Sequence, residues 1–122
     1  MKFALNQNIE IISQVRSAAV EHALDDLRRD IQNTCEPTAD PGIQLLLEQE
    51  ALADECFLLI AVKEKNQLKL CAGSDLGFVY GIYEISRSIL GVTDFWFWND
   101  QHFARREGYP VPEDWRVESE PF

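Results

Sequence analysis

The stretch Leu70-Cys71-Ala72-Gly73-Ser74-Asp75-Leu76-Gly77-Phe78-Val79-Tyr80-Gly81-Ile82-Tyr83-Glu84-Ile85-Ser86 decides the fold. A strand, a stop, a cap and a helix follow one another in it without a gap. Leu68-Lys69-Leu70-Cys71-Ala72 alternates apolar and polar, as a strand with one covered face does. Gly73 closes that strand, and Ser74 or Asp75 can accept a hydrogen bond from the first free N–H groups of a helix. Phe78, Ile82, Ile85 and Ile89 then recur at i, i+4, i+7 and i+11, one face of a helix near 75–90. Gly77 and Gly81 sit inside it, although each glycine costs about 1 kcal/mol relative to alanine. Close approach of the helix backbone to the sheet explains that cost. Gly91 is the natural residue to end the helix.

Upstream, Phe57-Leu58-Leu59-Ile60-Ala61-Val62 is apolar at every position and reads as a central strand, joined to 68–72 by the polar turn Lys63-Glu64-Lys65-Asn66-Gln67. Residues 8–12 read as a first strand and 43–47 as another. Between them Val20, Leu24, Leu27 and Ile31 mark one face of a helix over 13–33, with Ser13 as its expected cap and Asp25–Arg29 as its helpful ion pair. Pro37, Asp40-Pro41 and Gly42 make 34–42 a loop, and the acidic run 48–55 reads as a second loop. The order is β-α-β-β-β-α. It predicts an α+β fold with two helices packed on one face of a mixed β-sheet. The tail from Ala104 carries Pro110, Pro112 and Pro121 and reads as extended, with Arg116-Val117-Glu118 as an edge strand.

Size and charge limit what such a chain does. With 122 residues and 46% hydrophobic content it forms a single α/β unit with a real core, 1–122. A formal net charge of -10 repels phosphate backbones and anionic lipid, which argues against nucleic-acid and membrane partners. The basic doublets are only Arg28-Arg29 and Arg105-Arg106. Cys35, Cys56 and Cys71 form no CxxC, and an odd count suits buried thiols in a reducing compartment. His22 and His102 are far apart, so no metal site and no cofactor is expected. The N-terminus lacks the length of a signal peptide, and a cytoplasmic location is the expectation.

Catalytic patterns are missing. Gly73-Ser74-Asp75 is not a nucleophile elbow, and the phosphate-loop glycine motifs are absent. Acidic residues are too numerous for any one pair to stand out as an acid and a base, and no catalytic residue is assigned. The aromatic run Phe95-Trp96-Phe97-Trp98 is the most distinctive segment left. If it is extended, the two phenylalanines face one way and the two tryptophans the other. An outward indole stacks on the apolar face of a sugar or anchors a protein interface, while Asn99, Asp100 and His102 offer hydrogen bonds to hydroxyl groups. Trp96, Trp98, Asn99, Asp100 and His102 are therefore the candidate ligand or interface residues, with at least one indole expected to be exposed. The plainer alternative is that these aromatics fill the core or a contact with a neighbouring domain.

The run 70–86, together with Leu90-Gly91-Val92 and Phe95-Trp96-Phe97-Trp98-Asn99-Asp100, resembles the N-terminal accessory domain of glycoside hydrolases. It is most like that of the family-115 α-glucuronidases, in which a Gly-x-x-Tyr-Gly-Ile-Tyr-Glu/Asp helix precedes a Gly-Val and an aromatic-Trp-x-Asp stretch. It is also similar to the domain ahead of the barrel in family-67 α-glucuronidases and family-20 β-hexosaminidases. The resemblance covers about 55–103. It implies a hexosaminidase domain-2-like fold preceding a (β/α)8 barrel that carries the catalytic acids, so that this chain supports the barrel or its sugar site. The implied partners are the catalytic barrel domain of the same protein and carbohydrate. The alternative is a free-standing carbohydrate- or protein-binding module with exposed tryptophan anchors. A small enzyme built around Asp100 and His102 is a third and weaker reading.

Overall fold

The computed structural model describes residues 3–91 and 106–119. The central unit is a five-stranded sheet covered on one face by two helices. Its strands are β2 (Glu10–Ser13), β3 (Gln44–Gln49), β4 (Phe57–Val62), β5 (Gln67–Ala72) and β7 (Arg116–Glu118), arranged β2-β3-β5-β4-β7. β2, β3 and β5 run parallel, whereas β4 pairs antiparallel with β5 and β7, so the sheet is mixed. The helices are α1 (Ala18–Thr34), between β2 and β3, and α2 (Asp75–Ile85), which continues into one π-helical turn at Ser86–Leu90. A separate two-stranded ladder joins β1 (Ala4–Leu5) to β6 (Tyr109–Pro110).

Register places every second side chain of the sheet under the helices. Leu59 lies opposite Leu70, Leu68 opposite Leu45 and Leu70 opposite Leu47, and all five are almost fully buried. Val20, Leu24, Leu27 and Ile31 of α1 close the core with Phe78, Ile82 and Ile85 of α2, as their periodicity predicts. Ile89 is half-buried at the margin. The glycines of α2 meet the sheet as expected. A Cβ on Gly77 would stand 2.3 Å from the carbonyl oxygen of Cys56, and one on Gly81 would stand 2.4 Å from a Leu70 methyl. Ser74 caps α2 by accepting from the Gly77 N–H at 3.2 Å. All three cysteines are buried free thiols.

Several expectations are corrected. α1 begins at Ala18, with Ser17 as its cap, accepting from the Val20 N–H at 3.2 Å. Ser13 instead turns its hydroxyl onto the Val15 backbone, donating to its carbonyl and accepting from its N–H, and thereby ends β2. In place of Asp25–Arg29, α1 carries Asp25–Arg28 at 3.0 Å and Asp26–Arg29 at 3.4 Å, both at i,i+3. β3 runs on through Gln49, because Glu48 finds Lys69 across the ladder at 3.0 Å. β1 and β6 have two residues each, too few for any periodic signal. Among the described residues no helix is long and apolar enough to cross a membrane.

Candidate functional site

Trp96, Trp98, Asn99, Asp100 and His102 lie outside the described residues, and so does the expected exposure of an indole. The two points from which their segment departs and returns are described. The π-helical turn ends at Gly91, which adopts φ 75°, a left-handed conformation that glycine takes without strain, and its N–H donates to the Ser86 carbonyl. The chain re-enters at Arg106, which bridges to Cys35 just past the end of α1. There the Glu36 N–H donates to the Arg106 carbonyl at 2.7 Å and the Arg106 N–H to the Thr34 carbonyl at 3.2 Å. The guanidinium of Arg106 lies 5.3 Å from the centre of the Tyr109 ring, a cation–π stack. The Tyr109 hydroxyl donates to the Thr34 carbonyl at 3.3 Å, and burial raises its pKa. Gln7 completes the clamp by donating its amide to the Cys35 carbonyl at 2.7 Å. Gly91 follows the end of the α2 layer and Arg106 is tied to the end of α1.

The outer surface of that layer carries a second set of residues. Leu76, Tyr80 and Tyr83 recur at i, i+4 and i+7 on the side of α2 opposite Phe78, Gly81 and Ile85, and they are 41%, 44% and 42% exposed. Tyr83 donates its hydroxyl to Asp26 of α1 at 3.0 Å, and burial followed by that carboxylate raises its pKa. His22 and Arg29 flank the same carboxylate at 3.6 and 3.4 Å. Burial raises the pKa of Asp30, one turn further on, against the lowering pull of Arg29. Sequence reading quoted Tyr80 and Tyr83 as part of a helix motif but did not single them out as surface residues. Their offset from the buried positions was the available signal.

On the sheet face turned away from the two helices, Glu48, Glu50 and the buried Cys71 bring their ligating atoms within 4.8 Å of one another. These donor types can bind a divalent ion. Here, however, Lys69 already neutralises Glu48, and its ammonium is held charged by that hydrogen bond. Burial and then Glu50 push the Cys71 thiol up to about 11, so it keeps its proton at neutral pH. The group acts as a cross-strand polar ladder. It went unseen in the sequence because 48–55 reads as a loop, which hides the pairing of Glu48 with Cys71. A hollow of about 180 Å³ lies beside β2, lined by Ile11, Ser13, Arg16, Glu21, Leu24 and Arg28. It contains a single carboxylate, which is too little for a two-carboxylate glycosidase site.

No family model matches the chain, and no curated protein matches it. Solved structures do match. A family GH115 4-O-methyl-α-glucuronidase with specificity for decorated arabinogalactans superimposes on 98% of this chain with a TM-score of 0.73 at 23% identity. The fold is one found in glycoside hydrolases. A GH20 exo-β-N-acetylglucosaminidase from Vibrio harveyi shares it over 71% of the chain, with a TM-score of 0.53 and 17% identity. The chain spans 18% of the first of these structures and 14% of the second. The likeness agrees with the resemblance read from residues 70–86.

Proposed function

We propose that residues 1–122 are a non-catalytic accessory domain of a carbohydrate-active hydrolase of the α-glucuronidase kind, preceding a (β/α)8 barrel and supporting it or its sugar site. The observation that carries this reading is the two-layer fold, shared over 98% of the chain with less than a fifth of a glycoside hydrolase. The chemistry agrees. Four of the six carboxylates on the two helices are engaged by a partner: Asp25 by Arg28, Asp26 by Tyr83 and Arg29, Asp30 by Arg29, and Glu84 by Arg87. A glycosidase acid instead faces its partner carboxylate across an open cleft. The coding sequence beyond Phe122 tests the reading. A continuous frame of roughly 200 or more residues with alternating strands and helices supports it, since a barrel needs that length. A stop codon directly after Phe122 rejects it.

A second reading is a free-standing module that uses Trp96 and Trp98 to grip a sugar or a protein. The clamp of Arg106, Tyr109, Thr34 and Gln7 favours it, because a binding segment works best when its base is rigid. Titration of the purified chain with glucuronoxylan oligosaccharides, read by tryptophan fluorescence, tests it. A saturable change that is lost in both Trp96→Ala and Trp98→Ala supports the module. A flat response rejects sugar binding.

A further inference from the structure

We infer that the hollow between β2 and the first half of α1 is a binding site for a small polyhydroxy carboxylate, held at its carboxylate by Arg16 and Arg28 and at its hydroxyl groups by Glu21 and Ser13. The inference stands on residues 11–28 and is independent of the accessory-domain reading. β2 is an edge strand of the sheet. Glu21, Leu24 and Arg28 recur at i, i+3 and i+7, one stripe of α1, and line the hollow together with Ile11 and Ser13 of β2 and Arg16 of the connection between them. Its volume of about 180 Å³ is many times what one water or ion needs. It is below the roughly 300 Å³ at which pockets for drug-sized ligands begin, so the occupant is small.

The hydrogen-bonding capacity left over in the hollow selects its occupant. Arg16 and Glu21 are exposed, and among the described residues neither side chain makes an ion pair or a hydrogen bond. Arg28 gives one nitrogen, Nη1, to Asp25 at 3.0 Å, and its other N–H groups remain free to donate. Two guanidiniums therefore offer donors that match the oxygens of a carboxylate. The Ser13 hydroxyl already donates to the Val15 carbonyl and accepts from the Val15 N–H. What it has left is a lone pair, and Glu21 likewise only accepts. Donors on one side and acceptors on the other ask for a single negative group joined to hydroxyls. A phosphate dianion would face Glu21, and a net charge of -10 turns polyanions away. A neutral sugar leaves both guanidiniums unused. An apolar ligand finds little to bury against, since Leu24 is only 1% exposed and Ile11 is already half-buried.

Titration of the purified protein with sodium D-gluconate, in Tris chloride at constant ionic strength and followed by nitrogen-15 NMR, tests the inference. The expected result is a saturable shift of the Arg16 and Arg28 Nε–H signals and of backbone amides between Ser13 and Arg28. Gluconate should bind about tenfold more tightly than acetate, which lacks the hydroxyls, and glucose should give no response. Arg16→Gln is expected to weaken gluconate about tenfold and to leave the thermal midpoint unchanged, because Arg16 has no polar partner within the described fold. Glu21→Gln is expected to weaken gluconate while acetate binds as before or more tightly. Shifts that never saturate overturn the inference, as does glucose binding as tightly as gluconate. Phosphate binding more tightly than gluconate, or gluconate affinity unchanged in both Arg16→Gln and Arg28→Gln, overturns it too.

Discussion

Lys69 and Leu70 are neighbours in β5, yet they belong to different environments. Leu70 points under the helices, is fully buried and sits against Gly81 of α2. Lys69 points to the face turned away from the helices and reaches Glu48. The whole sheet repeats this contrast. One face is Leu45, Leu47, Leu59, Leu68 and Leu70, closed by two helices. The other is half-buried Leu46, Leu58, Ile60 and Val62 interleaved with Gln44, Gln67, Glu48 and Lys69. The first face holds the domain together, and the second tolerates water because its polar groups pair across strands. Hydrophobic burial therefore concentrates on one side of a single sheet, and stability should follow it.

Substitutions on the two faces of β5 should separate most widely. Leu70→Ala is expected to cost about 3 kcal/mol or more in urea unfolding, through lost burial and the cavity left beneath α2. Lys69→Ala should cost under about 1 kcal/mol, as a partly exposed ion pair does. Equal costs would break the contrast. The glycines of α2 sharpen it. Gly77→Ala drives a methyl group into the Cys56 carbonyl, which belongs to the backbone, and is expected to destabilise by about 2 kcal/mol. Gly81→Ala meets only a leucine side chain that can turn, and gains helix propensity in return. Its cost should be clearly smaller, and thermal unfolding of the two variants side by side decides it. Ser74→Ala removes the acceptor for the Gly77 N–H and should cost about 1 kcal/mol by the same measurement.

A smaller, pH-dependent effect concerns the helix layer. The folded-state pKa of Asp30 is raised from its ordinary value of 3.8, chiefly by burial. Protonated Asp30 therefore favours folding below that ordinary value, and this contribution is lost as pH rises through the folded pKa. Asp30→Asn is expected to be more stable than the parent at pH 7, with the gap closing below pH 3.8. A gap that is constant with pH would show that the side chain acts by shape rather than charge.

The helices and the long strands were legible because each repeats its period several times. Four apolar positions on α1, three on α2 with a fourth, Ile89, in the π-helical turn, and the continuous run of β4 leave little room for another register. The cap of α1 was misplaced because Ser13 and Ser17 are equally good acceptors, and only the turn at Val15 distinguishes them. The β1–β6 ladder joins residues more than 100 positions apart through four residues in all, and no local pattern encodes it. Pairing of Glu48 with Cys71 likewise depends on parallel register, which follows from topology. The exposed stripe on α2 was present in the spacing of Leu76, Tyr80 and Tyr83, but their significance emerges only once the opposite face is seen to be full.

An assay of the purified 122-residue chain against aryl glucuronides and aryl hexosaminides tests most directly the claim that this is a supporting domain without reacting groups of its own. The expected result is release of the aryl group at the rate of buffer alone, across the pH range where carboxylates titrate. Turnover above that background that disappears in Asp100→Asn would contradict the claim and make the chain an enzyme in its own right.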